Sequence, residues 1–245
     1  MAKAKTSPRK PKPAAKQPRS IITFLLDRSG SMSAIKNATI EGFNTYLTGL
    51  QGEAKAQILF TFLQFDSLSL DKVHVSRPVK EVPLLTDATF APRGGTPLID
   101  AAYATIRAVE EAVTREDVKS RVVICIQTDG EENQSKDHTW DDLALLVKAK
   151  QEAGWQFNFM GAGIDAYSQA ARMNIAAANT LSYNAQNLQA TRQAYGASAQ
   201  NSSSFSAGLT DSTNYTTEQK FMSGDVYDPD LRKKKPAPPP SQSNV

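Results

Sequence analysis

Four short apolar runs set the terms for this chain. SIITFLL (20–26), QILFTFLQF (57–65), RVVICIQ (121–127) and WQFNFM (155–160) are rich in branched and aromatic side chains. None alternates cleanly between apolar and polar positions, so strands built from them need cover on both faces. The stretches between them have helical spacing. Residues 34–50 carry Ile35, Ala38, Ile40, Phe43, Tyr46, Leu47 and Leu50. Residues 97–114 begin with Pro97, whose missing N–H costs little in a first helical turn. Residues 140–153 stop before Gly154, and two further helices are expected at 165–173 and 185–199. An edge strand is expected at 72–82 and a last strand at 180–183. Strands that alternate with helices imply right-handed crossovers. The expected fold class is therefore α/β, doubly wound, with a mostly parallel central sheet and helices on both faces.

The two ends differ from the body. Residues 1–19 contain seven Lys or Arg and no acid, and residues 232–235 add four more basic residues. Of the 28 basic residues, 17 then remain in the body against 25 acidic ones, so the body is acidic and the basic pI belongs to the ends. The expected organisation is a disordered basic tail at 1–19, one domain at 20–208, and a disordered polar, Pro-rich tail at 209–245. The first tail can make nonspecific contact with a polyanion, but it has no aromatic residue to stack bases. Its other reading is a solubilising arm. No apolar run approaches the ~20 residues a bilayer requires, and no secretory leader is recognisable. The single cysteine, Cys125, excludes an internal disulfide and fits a cytoplasmic setting.

Three polar motifs sit at the element boundaries. Asp27-Arg28-Ser29-Gly30-Ser31 follows the first strand. Arg93-Gly94-Gly95-Thr96-Pro97 precedes a helix, and Thr128-Asp129-Gly130 follows the third core strand. Ligands of parallel sheets bind outside the carboxyl ends of the strands, so one sheet can bring all three together. The set is then Asp27, Ser29, Ser31, Thr96 and Asp129: two carboxylates and three hydroxyls, with no thiol or imidazole. Hard oxygen donors favour Mg²⁺, with Mn²⁺ or Ca²⁺ as alternatives, over Zn²⁺. Each motif alone is weak, since Ser and Asp are common in turns and caps, and Ser33 could simply cap the following helix. All three in this order carry the reading.

Other residues favour plainer roles. Glu131, Glu132 and Asn133 read as a solvated loop or helix-start charge, Arg28 and Arg93 as surface arginines, and Asp100 as a capping or loop-orienting acid. Cys125 reads as a small core residue, and His74 and His138 lack ligand spacing. Trp140 and Trp155 read as packing for the helical cover.

FLLDRSGSM, PRGGTPLIDA and TDGEEN together resemble von Willebrand factor A domains, in particular the stand-alone ones of bacteria and their phages. Asp27, Ser29, Ser31, Thr96 and Asp129 match the five positions of that family's metal-ion-dependent adhesion site. The resemblance implies a Rossmann-like domain that captures an Asp or Glu of a partner protein through the metal, without catalysis. It also implies that the C-terminal helix (185–199) shifts with metal coordination. The expected location is the cytoplasm, the host's if the chain is phage-encoded. Two alternatives stand beside it. One is a metal-dependent phosphoryl-transfer enzyme, although no second aspartate follows Asp27 at the next-but-one position and no P-loop is present. The other is a subunit of an AAA-ATPase, chelatase-like or tellurite-resistance-type assembly.

Overall fold

The computed structural model describes residues 19–52, 56–115 and 120–225. The expected disorder of 1–18 and 226–245 lies outside them. Six strands form one sheet in the order β3-β2-β1-β4-β5-β6. They are β1 (Arg19–Asp27), β2 (Gln57–Asp66), β3 (Ser69–Pro78), β4 (Arg121–Thr128), β5 (Gln156–Ala162) and β6 (Thr180–Tyr183). All neighbours pair in parallel except β2 and β3, which form an antiparallel hairpin at one edge. The expected edge strand is thus present, beginning three residues earlier than its apolar pattern suggested.

Six helices cover the sheet: α1 (Lys36–Gly52), α2 (Leu98–Thr114), α3 (Trp140–Glu152), α4 (Ala166–Arg172), α5 (Leu188–Ser206) and α6 (Thr217–Met222). The alternating side chains of β1 divide between two cores, as a strand buried on both faces must. Ile22, Phe24 and Leu26 join Phe43, Tyr46 and Leu47 of α1 and Tyr195 of α5. Ile21 and Leu25 face α2, α3 and α4 through residues such as Ile106, Val147 and Ala170. The chain leaves β1 toward one face and β4 toward the other, so the crevice for a ligand opens between their carboxyl ends. Cys125 and Trp155 are buried, as expected of core residues.

α1 is preceded by a 3-10 turn, Gly30–Ile35, so Ser33 lies inside that turn and does not cap a helix. α1 and α5 approach closely because small residues meet at their contact. A Cβ at Gly49 would stand 2.9 Å from that of Ala199, and one at Gly42 would stand 2.5 Å from the Tyr195 ring.

The expected boundary at 208 requires correction. α5 extends to Ser206, and residues 209–225 pack along the β6 side of the domain. Thr213, Tyr215 and Ser223 are buried. The Tyr215 hydroxyl lies 2.7 Å from Ser198 Oγ and accepts from Asn158 Nδ2 at 3.3 Å. Asn201 donates to Asn214 O, and Thr216 and Gln219 form a capping box for α6. Low hydrophobicity led the sequence reading to place a tail here. The segment is held by hydrogen bonds between buried polar groups, which leave no apolar periodicity in the sequence.

Candidate metal centre

Asp27 is the last residue of β1, level with Phe65 of β2. Its pairing with β4 ends one residue earlier, at Leu26 and Gln127. Beyond that point the two chains part, and their polar termini line the opening. Asp27 is fully buried yet both its oxygens are engaged. Oδ1 accepts from the Ser29 amide at 2.6 Å, and Oδ2 accepts from Thr128 Oγ1 at 2.6 Å. Burial pushes the Asp27 carboxyl up to about 6. The hydrogen bonds from Thr128 and Ser29 oppose that rise, and the charge of Asp129 adds to it.

The remaining residues close on the same place. Ser29 Oγ and Ser31 Oγ lie 3.1 Å apart, and Ser31 Oγ donates to Asp129 Oδ1 at 2.7 Å. Asp129 is half-buried, and burial raises its carboxyl above the ordinary value despite that bond. Thr96 is buried, and Gly130 locates its hydroxyl relative to the rest. A Cβ built on Gly130 would lie 3.2 Å from Thr96 Oγ1, 3.5 Å from Ser31 Oγ and 4.0 Å from Asp27 Oδ2. Oxygens from three separate loops therefore surround one small space that the absence of a side chain keeps open.

Backbone bonds fix the loops. Arg28 N donates to Phe65 O at 2.7 Å, Gly30 N to Gly94 O at 2.9 Å, and Arg93 N to Arg28 O at 2.8 Å. Gly94 turns with φ of 67°, a conformation open to glycine at little cost. Asn133 joins the second loop to the third: its amide donates to Thr96 O, and its Oδ1 accepts from the Thr96 amide at 3.0 Å.

Three supporting acids lie around the site. Glu132 accepts from the Ile99 amide at 2.9 Å, capping α2, and from the Gln134 and Ser135 amides. Asp100 accepts from the backbone of Lys136, Asp137 and His138 and bonds the His138 ring, so it orients the loop after β4. Both plain readings are thereby made specific. The third acid, Asp66, had no sequence signal. Arg28 Nε and Arg93 Nε both donate to its Oδ2, at 2.8 and 2.9 Å, and the Leu68 and Ser69 amides donate to Oδ1. Arg28 is buried and also pairs with Asp71 at 2.8 Å, so it is not the surface arginine expected. Burial would raise the Asp66 carboxyl, but the bonds from Arg93, Leu68 and Arg28 outweigh it and hold it below the ordinary value. Both arginines that flank the motif are thus paired, Arg93 with Asp66 and Arg28 with Asp66 and Asp71.

The donor set fits a hard divalent cation. Among the described residues no group of three or more His, Cys, Asp or Glu could hold a metal. The two carboxylates here depend on three hydroxyl oxygens to complete a shell, which suits Mg²⁺ and Mn²⁺ better than Zn²⁺. Ser31 donates to Asp129 and its hydroxyl lies beside that of Ser29, and the lone pairs of these oxygens can serve a cation.

No family model matches the sequence, and no curated protein matches it. Solved structures do match the fold. The pilus adhesin SpaC from Lactobacillus rhamnosus GG aligns with a TM-score of 0.58 at 12% identity, over 78% of this chain and 31% of that one. A von Willebrand factor type A protein from Catenulispora acidiphila aligns at 0.53 and 14%, over 76% and 43%. The vWF domain of the type V pili tip protein Mfa5 from Porphyromonas gingivalis aligns at 0.52 and 9%, over 80% and 98%. The chain spans less than half the length of the first two of these. It has the von Willebrand factor A fold.

Proposed function

We propose that this von Willebrand factor A fold is a metal-dependent protein-binding module and not an enzyme. Asp27, Ser29, Ser31, Thr96 and Asp129 hold Mg²⁺, with Mn²⁺ or Ca²⁺ as substitutes, and a partner protein offers an Asp or Glu side chain to it. The observation that carries this reading is the convergence of Thr96 Oγ1, Ser31 Oγ and Asp27 Oδ2 on the space beside Gly130. When bound, the cation supplies a concentrated positive charge in a partly dry crevice. The two arginines beside it add no net positive charge, because Arg28 and Arg93 are balanced by Asp66 and Asp71 together. An acidic group is therefore attracted by the ion alone. Two of the similar folds belong to pilus proteins, one of them an adhesin, which accords with a binding role. No helix among the described residues is long and apolar enough to cross a membrane. The single cysteine, which leaves no internal disulfide to form, supports a cytoplasmic location.

The test is calorimetric titration of Mg²⁺ into the native chain and into Thr96→Ala, followed by capture of partners with Mg²⁺ or with chelator. Magnesium uptake lost in the variant, and a partner held only with the metal, are expected. A folded native chain that takes up neither Mg²⁺ nor Mn²⁺ would overturn the proposal.

A further inference from the structure

We infer that a cavity of about 200 Å³ between α2 and the edge strand β3 binds a small hydroxy-substituted carboxylic acid whose apolar body is about the size of one ring. The cavity is independent of the metal centre. Its lining includes Ile21, which lies ~20 Å along β1 from Asp27 at the usual rise per residue. β3 gives the cavity its shape. Phe60 pairs with Arg77 and Phe62 with His74, so Val75 and Ser76 together face the single residue Thr61. That is a β-bulge, and another extra residue, Val73, follows between His74 and Lys72. Ser76 holds a φ of 46°, which residues with side chains seldom adopt, and its amide donates to Thr61 Oγ1 at 3.0 Å. The extra residues bend β3, and both Val75 and Lys72 reach the cavity from it.

α2 leaves the space from its own side. Thr105, Ala108, Val109 and Ala112 line the cavity at i, i+3, i+4 and i+7, one face of the helix. Two alanines stand there where larger side chains would fill the gap. Thr105 is 1% exposed, yet its hydroxyl has no hydrogen-bond partner among the described residues. A buried hydroxyl left unpaired is costly, and a polar oxygen of a ligand would satisfy it.

The rim sets the charge of the ligand. Lys72, Glu111 and Arg115 are its charged residues, and all three are exposed. Arg115 and Glu111 pair with each other at 3.4 Å and so balance. Lys72 has no ion-pair partner among the described residues, which leaves one net positive charge at the opening and suits a carboxylate. Val75 is 59% exposed beside it, and an apolar body seated in the cavity would cover it together with Ile21, Leu63 and Val109. Apolar walls with a few placed polar groups are the usual build of a small-molecule site. An apolar cavity of about 150 Å³ is enough to hold benzene, so this one takes a single ring with its substituents. The carboxylate then meets Lys72 at the rim, and the hydroxyl meets Thr105 within.

The experiment titrates 4-hydroxybenzoate into the full chain, isotope-labelled, with benzoate and benzylamine as controls. Chelator is present throughout, so the metal centre takes no part and neither reading stands or falls with the other. The amide signals of Thr61, Ser76 and Thr105 should move and saturate, with a dissociation constant on the order of millimolar. Benzoate should bind about fivefold more weakly, and Thr105→Val should erase that difference. Lys72→Gln, a change at an exposed position, should weaken both acids about threefold. Ala108→Leu fills the cavity and should abolish saturable binding while the other amide signals keep their native dispersion. Should that variant fail to fold, Lys72→Gln and Thr105→Val decide. The site is overturned by the lack of a saturable shift, by an equal response to benzylamine, or by acid binding that is unaltered in Lys72→Gln or in folded Ala108→Leu. A preference for 4-hydroxybenzoate that persists in Thr105→Val overturns the assignment of its hydroxyl.

Discussion

Thr128 Oγ1 donates to Asp27 Oδ2 across 2.6 Å and so ties the carboxyl end of β4 to that of β1, 101 residues away in sequence. The bond sits at the switch point of the sheet, where the two strands cease to pair. It keeps a buried carboxylate satisfied in the absence of a cation. Thr128→Val preserves shape and removes the donor, leaving Asp27 Oδ2 without its partner. Stability should fall by about 1–3 kcal/mol, measured by denaturant unfolding in chelator. Added Mg²⁺ should recover part of that loss. An unchanged midpoint would mean the bond contributes nothing.

Gly130→Ala tests the cradle directly. The new Cβ would press on Thr96 Oγ1 at 3.2 Å. Gly130 has no positive φ, so alanine costs the backbone nothing. Metal affinity should drop about tenfold or more, while chelated stability should change by less than ~1 kcal/mol. Magnesium at a hundred times its dissociation constant should stabilise the native chain by ~2.7 kcal/mol. That increment should shrink in the variant under the same conditions.

Asp66 makes the prediction for acid. Removing it as Asp66→Ala leaves Arg28 and Arg93 facing a buried gap and should cost ~3–5 kcal/mol. Because the Asp66 and Asp100 carboxyls are held below their ordinary values, their contribution is full above ~3.9 and is lost as pH falls through the folded values. Asp27 has the opposite sign, since its raised carboxyl takes up a proton in the folded state first. The metal-free midpoint should therefore rise slightly between pH 7 and 5 and fall steeply below about pH 4. Asp66→Asn should flatten the acid limb.

A stop after Gly208 would be harmless if the following residues were a tail. The structure predicts otherwise. Removing 209–225 strips Asn158 of Thr213 and Tyr215, and Ser198 of the Tyr215 hydroxyl. The truncated chain should unfold at markedly lower denaturant or fail to accumulate. Tyr215→Phe should cost a smaller ~1–2 kcal/mol, for the lost hydroxyl alone.

The convergence of Asp27, Ser29, Ser31, Thr96 and Asp129 was legible because each motif is local: two mark the end of an apolar run, and the third precedes a helix. Asp66 was not legible, because nothing in FDSLS distinguishes a turn aspartate from the anchor of two arginines. Arg28 reads as an exposed charge until Asp66 and Asp71 are brought beside it. Glu132 and Asp100 reach amides more than thirty residues away, at Ile99 and at Lys136 to His138, so their partners emerge only on folding.

What the sequence determined by itself was the sheet and the oxygen-bearing groups gathered at its edge. Apolar runs too continuous for one wet face demand cover on both sides, and the hydroxyls and carboxylates that follow such runs fall together at the strand ends. Tertiary structure decided where the arginine charge goes, how the loops lock, and that residues 209–225 belong to the domain. Those outcomes rest on hydrogen bonds and ion pairs between distant polar groups. Such pairings have no periodicity, and each partner taken alone looks like an ordinary solvent-facing residue.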